Sequence, residues 1–475
     1  MNVQSLAFLS FLTVTVFAVR LCARMGRRWR TAALLAASLT FYLWSGTPAA
    51  VWSCGLLALS AAGTWLVSRS VGRGGVYRRA GCAAAVCWLI AVLAVFKYTG
   101  FLTGGAWAMP FVPLGISFFT FQQIWYLREV YRGSFDRIPT LGDYLAYSFL
   151  FPTVSSGPIL KPQSFFPQLE EAGRPTARDT AAGLYAVGFG MVKKVLLADN
   201  LGALVNNGWG NLSELTAMTA WCVMLGYTLQ LYFDFSGYCD IAAGCARLLG
   251  LRLPMNFDSP YRSLSVTEFW KRWHMTLTDF LRENVYFPLG GSRRGSARTC
   301  LNILLVYLVS GIWHGAGWTF ILWGLLHGAA QILERLWGRR RDVLPKWLRW
   351  AMTFLFLNVA WVFFRAPDVS SALLLLKTAF TGGAGGLRVW LAKGLFARET
   401  SALLILFPWA EPYTVYLRVG AVLGLGMAAA LWPRNVIRQM DGFRPGWKNC
   451  LGLAVLTAWA VLSFTGVVTF IYSNF

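Results

Sequence analysis

The stretch Thr299-Cys300-Leu301-Asn302-Ile303-Leu304-Leu305-Val306-Tyr307-Leu308-Val309-Ser310-Gly311-Ile312-Trp313-His314-Gly315-Ala316-Gly317-Trp318 is an apolar run, Thr299–Trp313, followed by a histidine and a short glycine-rich link. A second apolar run, Thr319–Leu333, follows at once. Back to back, the two read as membrane spans with His314 at depth near their junction. Glycines at 311, 315 and 317 leave room for another backbone or a ligand beside the imidazole. Histidine is scarce: the 475 residues hold three, His274, His314 and His327. It is the side chain whose unperturbed pKa lies nearest working pH, and so the default general base. Concentrating the supply in one stretch of an apolar chain points to chemistry there; the competing reading is packing. In one continuous helix His327 would stand roughly 20 Å beyond His314, so it reads as structural.

Outward from this stretch the whole chain is apolar. Charged residues make up 13% and hydrophobic ones 56%, with 23 tryptophans. The first 19 residues carry no charged side chain. A span needs roughly 20 apolar residues. Probable spans are Leu6–Val19, Ala32–Trp44, Ala49–Val67, Ala80–Phe96, Ala217–Phe233, Thr299–Trp313, Thr319–Leu333, Trp350–Phe364, Val415–Trp432 and Leu451–Phe470. Shorter or interrupted stretches lie at Phe111–Leu127, Leu145–Leu160, Gly183–Ala198, Ala372–Phe380 and Leu403–Trp409. The fold class is all-α, a polytopic membrane protein. No Lys or Arg precedes the first apolar run, which argues against a cleaved signal. The nine cysteines are scattered and form no Cys-x-x-Cys pair, so they read as small core residues; no metal is expected.

A net charge of +23 invites a nucleic-acid reading, but its distribution opposes one. Basic residues cluster between spans: Arg20, Arg24, Arg27, Arg28 and Arg30, then Arg69 to Arg79, Arg335 to Arg349 and Arg434 to Lys448. Such loops stay cytoplasmic. The first cluster follows the first span and the last precedes the last span, so both termini are expected outside the cytoplasm.

Residues 1–100 read as ordinary spans. Residues 110–300 differ: apolar pieces are short and broken, as at Val112-Pro113-Leu114-Gly115 and Ser156-Gly157-Pro158. Non-helical backbone at membrane depth needs protein or a water-filled cavity around it, so this part is expected to line a funnel or re-entrant cavity. Tyr232-Phe233-Asp234-Phe235-Ser236-Gly237-Tyr238-Cys239-Asp240 sets two carboxylates beside an apolar run. Asp234 or Asp240 either orients a catalytic group or pairs with an interior arginine such as Arg247 or Arg262. Ser265-Val266-Thr267-Glu268 is a capping box opening a helix. Phe269, Trp270, Trp273, Leu277, Phe280 and Leu281 continue it as an apolar stripe on which His274 lies. Lys271 and Arg272 fall beside that stripe. Gly290-Gly291-Ser292-Arg293-Arg294-Gly295 is a basic glycine-rich loop that either holds the phosphates of an acyl carrier or signals topology.

Several ordered motifs together resemble those of a known family. They include Pro113-Leu114-Gly115-Ile116-Ser117-Phe118-Phe119, Phe151-Pro152-Thr153-Val154-Ser155-Ser156-Gly157-Pro158 and Lys193-Lys194-Val195-Leu196-Leu197-Ala198-Asp199-Asn200. Further matches are Gln230-Leu231-Tyr232-Phe233-Asp234-Phe235-Ser236-Gly237, the run from Asn256-Phe257 to Gly291 with Glu268-Phe269-Trp270-Lys271-Arg272-Trp273-His274, and Trp313-His314-Gly315. The chain is similar to the membrane-bound O-acyltransferase (MBOAT) family, in the bacterial branch that acetylates alginate and peptidoglycan. The likeness covers about 110 to 335 strongly, within a single domain of 1–475 whose C-terminal spans occupy 336–475.

The resemblance implies a ring of tilted helices around a central funnel in the bacterial inner membrane. The acyl group would come from a cytoplasmic thioester such as acetyl-CoA and be passed towards an extracytoplasmic polysaccharide. His314 is then the catalytic histidine and His274 a second one in the same tunnel. Trp273 and Trp313 would wall out water, while Lys271, Arg272, Arg293 and Arg294 are candidates for the donor's phosphates. Related chains end in an aromatic tail, here Phe470-Ile471-Tyr472-Ser473-Asn474-Phe475. Tyr472 therefore either relays the acyl group to an extracytoplasmic SGNH-hydrolase-like acyltransferase or belongs to the interfacial aromatic belt. Two other readings remain open: D-alanyl transfer to teichoic acid from a carrier protein, and a transporter.

Overall fold

Every regular element among the described residues is helical in this computed structural model, which describes residues 3–72, 74–75, 77–170, 175–432 and 435–464. The first helices are α1 (Leu6–Met25), α2 (Arg27–Leu43), α3 (Pro48–Gly72), α4 (Arg78–Leu102) and α5 (Ile116–Arg132). Two short ones follow, α6 (Leu141–Phe149) and α7 (Pro162–Glu170), then α8 (Ala177–Met191), α9 (Asn200–Gly210) and the long α10 (Ala217–Leu248). The remainder are α11 (Val266–Trp270), α12 (Met275–Leu281), α13 (Ser296–His314), α14 (Trp318–Trp337), α15 (Lys346–Arg365), α16 (Val369–Thr381), α17 (Ala397–Leu406), α18 (Thr414–Ala430), α19 (Val436–Asp441) and α20 (Trp447–Leu462).

Among the described residues, seven helical segments are long and apolar enough to cross a membrane: Leu6–Met25, Pro48–Gly72, Arg78–Leu102, Ala177–Gly210, Ser296–His314, Lys346–Arg365 and Pro408–Ala430. The chain is thus a multi-pass membrane protein. Gly183–Ala198, expected to be an interrupted piece, lies inside the continuous 34-residue segment Ala177–Gly210. Continuity is kept by a π-helical stretch, Val192–Asp199, which absorbs the irregularity without ending the helix. The expected spans at Ala32–Trp44, Ala217–Phe233 and Thr319–Leu333 are occupied by α2, α10 and α14, which fall outside those seven; of the expected span Leu451–Phe470, α20 covers the part up to Leu462, and residues 465–470 lie outside the described residues.

Two compact units share the chain. One comprises residues 1–190, 238–255 and 436–475. In it α1 packs on α2, α2 on α6, and α3 on α4 and α5. The broken piece expected between 145 and 160 leaves α6 at Leu150, and Leu150, Phe151, Val154, Ile159 and Leu160 are all buried. Protein surrounds this backbone, and its polar groups are answered: Phe151 N donates to Ser38 Oγ at 3.1 Å, and Tyr147 OH to Leu160 O at 2.8 Å. Gly115 (φ 75°) makes the approach possible, because a Cβ there would stand 1.9 Å from Val154 O. A cavity of about 870 Å³ in the same unit is lined by Arg27, Arg28, Arg137, Asp143 and Glu170 among others, and by no histidine.

The second unit comprises 191–237 and 256–435 and holds all three histidines. Its centre is the hairpin α13–α14, with α15 and α11 packed on α14. Gly311 and Gly324 face each other across the hairpin. A Cβ on Gly311 would come within 2.4 Å of Phe320 O, and one on Gly324 within 2.4 Å of Tyr307 O. Small residues at a membrane helix interface allow this backbone approach. The glycine before His314 therefore serves helix packing.

Candidate active site

The Ser265 half of the capping box forms as its spacing predicts, and the Glu268 carboxylate reaches one residue further back than the motif's own pattern. Glu268 N donates to Ser265 Oγ at 3.0 Å, and Glu268 Oε2 accepts from Leu264 N at 3.0 Å. The helix it opens does not continue through His274, however. α11 stops at Trp270, and His274 adopts left-handed backbone geometry (φ 45°, ψ 52°) before α12 begins. For a side chain other than glycine this costs of order 1 kcal/mol, and it persists only where the surroundings over-determine it. Here they do: Met275 N donates to Asn256 O at 3.0 Å and Asp258 N to Arg272 O at 2.9 Å, pinning both sides of the kink. The kink turns the imidazole inward, where it is wholly buried. Its Nδ1 lies 3.1 Å from Asn256 Oδ1, which also accepts from Thr276 N at 3.2 Å and Thr276 Oγ1 at 3.0 Å. Burial pushes the His274 imidazole down to about 3, so it is neutral at working pH.

His314 ends α13, one position before extended Gly315, and is 3% exposed. Its ring is enclosed by Trp313 (centroids 4.8 Å apart), Trp323 (5.1 Å) and Phe364 (5.1 Å). Trp313 also faces His274 at 6.3 Å, so a single indole separates the two histidines. Phe235 meets His274 edge-on at 4.8 Å. Trp273, expected beside Trp313 as a wall, instead packs with Phe269 (5.3 Å), Phe257 (5.0 Å) and Trp361 (5.1 Å).

His327 is nearer to His314 than a continuous helix would place it. The chain turns back at Gly315–Gly317, and Trp323 touches both rings, His327 at 5.0 Å. His327 Nδ1 accepts from Trp270 Nε1 at 3.1 Å, and its ring packs on Phe356 at 5.2 Å. It is used in packing.

Asp234 pairs with neither Arg247 nor Arg262. Its partner is Lys194 from the π-helical stretch, and both side chains are buried. Arg247 binds Asp179 at 2.9 Å and Asp441 at 3.4 Å, while Arg262 is exposed. Arg272 is held by Glu268 at 2.9 Å and donates to Asp258 O at 3.3 Å. Lys271, Arg293 and Arg294 are exposed. The loop carrying the last two precedes the 19-residue α13, which puts it roughly 27 Å from His314 along the helix. Tyr472 lies outside the described residues. Among the described residues no group of three His, Cys, Asp or Glu side chains is placed to hold a metal ion. Asn256, Lys194 and Trp323 received no site role from sequence; two of them sit in matched motifs, but only the fold joins them to a histidine or to Asp234.

A multi-pass helical membrane protein with two buried histidines one indole apart is the class that fold and site define. The chain matches the model of the MBOAT, membrane-bound O-acyltransferase family over residues 86–367, and it belongs to that family. It is similar to the peptidoglycan O-acetyltransferase of Helicobacter pylori, 39% identical over 327 residues, which is 61% of this chain and 62% of that protein. It is 38% identical over 383 residues to the probable alginate O-acetylase AlgI of Azotobacter vinelandii, covering 75% of this chain and 74% of that one. The teichoic acid D-alanyltransferase of Streptococcus thermophilus is 30% identical over 255 residues, 49% of this chain and 59% of its own. The chain is an O-acyltransferase similar to the polysaccharide-acylating bacterial members.

Proposed function

We propose that the protein takes an acetyl group from a cytoplasmic thioester, acetyl-CoA, for O-acetylation of an extracytoplasmic polysaccharide, with His314 as general base. The observation that carries this is the burial of His314 among Trp313, Trp323 and Phe364, one indole from His274. The acceptor hydroxyl oxygen attacks the thioester carbonyl carbon and His314 takes the hydroxyl proton. The C–O bond forms, the C–S bond breaks, and the proton passes to the departing thiolate. The aromatic enclosure keeps water from competing for the thioester. Arg293 and Arg294, one α13 length away, suit the phosphates of a donor with a long arm. Relatives named for acetylating alginate and peptidoglycan support the acetyl reading.

In this reading the protein sits in the bacterial inner membrane with both termini outside. Tyr472 then carries the acetyl group to an SGNH-hydrolase-like partner that handles the polymer. Acetate released by mild alkali from exported polysaccharide is expected to fall to background in cells lacking the protein and to return on complementation. Unchanged acetate with lost D-alanine esters would overturn the reading in favour of D-alanyl transfer. A C-terminal peptide without acyl-tyrosine, in cells lacking the partner, removes the Tyr472 step alone.

A further inference from the structure

The amide of Asn256 is wholly buried, and its orientation is set by its neighbours. The backbone N–H of Thr276 donates to Oδ1 at 3.2 Å, and the Thr276 hydroxyl donates to the same atom at 3.0 Å. Turning the amide over would set its NH₂ against a backbone N–H, two donors facing each other, so oxygen is the atom at this position. An amide oxygen only accepts. His274 Nδ1, 3.1 Å from that oxygen, must therefore carry a proton. In a neutral ring the other nitrogen, Nε2, then holds the lone pair.

We propose that Asn256 is a positioning residue that locks His274 in its Nδ1–H tautomer, so that His274 meets the substrates as a hydrogen-bond acceptor. This rests on the His314 reading above and assigns its neighbour a definite role. Position 274 then holds an O–H or N–H group of a bound substrate; it does not donate to the oxyanion of the tetrahedral intermediate. That removes one of the two functions a second histidine here could have. Asn256 grips the kink twice, through Oδ1 on the ring and through its carbonyl, which accepts from Met275 N at 3.0 Å. The left-handed backbone at His274 is held in register with its tautomer by one residue. Phe235 from α10, Trp313 from α13 and the Asn256 amide, which lie against the ring, carry no charge. Burial lowers the imidazole's proton affinity, which keeps the ring neutral, with its lone pair on Nε2, across working pH.

The test is acetyl transfer by the full-length protein in membranes, followed from pH 5.5 to pH 9 (roughly the span over which a perturbed imidazole titrates). Asn256→Asp retains the acceptor, and so the tautomer, but sets a carboxylate beside the ring, which raises its proton affinity. The variant is expected to keep activity within about 3-fold of wild type at the alkaline end and to gain an acidic limb, losing 10-fold or more as the imidazole takes a second proton and its lone pair disappears. Asn256→Leu frees the tautomer and is expected to lose about 10- to 100-fold at every pH, the size of loss typical when the hydrogen-bond partner that orients a metal-bound histidine is removed. The detergent melting temperature of each variant separates misfolding from the effect sought. An Asn256→Asp profile that superimposes on wild type, or a folded Asn256→Asp protein inactive at every pH, overturns the assignment. His314→Ala is run alongside. If it retains transfer, the site reading fails; if it is inactive while the Asn256→Asp profile is unchanged, only the role given to Asn256 fails.

Discussion

Replacing His314 by alanine is expected to reduce acetyl transfer at least 100-fold while leaving the protein in the membrane. Positioned general bases contribute about 10²- to 10⁴-fold, roughly 3 to 5 kcal/mol of barrier. The loss should sit at the upper end here, because the rings of Trp313, Trp323 and Phe364 leave little room for water to stand in as base. Alanine also opens a hole among those rings, so a fall in stability must be separated from a fall in chemistry. His314→Gln fills most of the volume and offers a hydrogen-bonding group, yet cannot accept and return a proton near neutral pH. Both variants should be inactive, with the glutamine form melting close to wild type. Transfer retained by His314→Gln would show that the imidazole is not the proton acceptor.

The second large effect lies at Lys194 and Asp234. Both are buried, and the pair joins the π-helical stretch to α10. Removing one partner of a buried ion pair leaves an uncompensated charge and typically costs about 3 to 5 kcal/mol, whereas replacing both by apolar groups of similar volume is often neutral. Lys194→Met alone and Asp234→Leu alone are therefore expected to lower the detergent melting temperature strongly. The double variant should lose less than the two single losses summed. Strictly additive losses would show that the two side chains do not act as a pair. Because Asp234 immediately precedes Phe235, whose ring lies 4.8 Å from His274, the single variants should also disturb the neighbourhood of the site.

Class and family were legible in the sequence because they depend on local properties. Apolar runs announce spans, scarce histidines stand out, and the motifs keep their order along the chain. What stayed hidden depends on where the chain turns. The apolar stripe through Trp270, Trp273 and Leu277 is compatible with one helix, and nothing in its spacing reveals that His274 adopts left-handed geometry. The hydrogen bonds from Met275 and Asp258 across to Asn256 and Arg272, and that of Asn256 Oδ1 with the ring, stabilise that kink and join residues far apart along the chain. The nearness of His327 to His314 is hidden for a similar reason: the glycines after His314 mark a turn, and the turn brings Trp323 against both rings. The partner of Asp234 is a lysine 40 positions upstream, not an arginine nearer in sequence, and the π-helical backbone that carries it has no compositional mark. Asn256 belongs to a matched motif, but its grip on His274 spans 18 positions and exists only in the folded chain.

The most direct measurement is an experimental structure of the full-length protein in a lipid disc with a non-cleavable ketone analogue of acetyl-CoA. The carbonyl of the analogue is expected beside His314 and His274, with Trp313 lining the same space and the phosphates towards Arg293 and Arg294. A carbonyl bound elsewhere, with His314 still closed off by Trp323 and Phe364, would contradict the account.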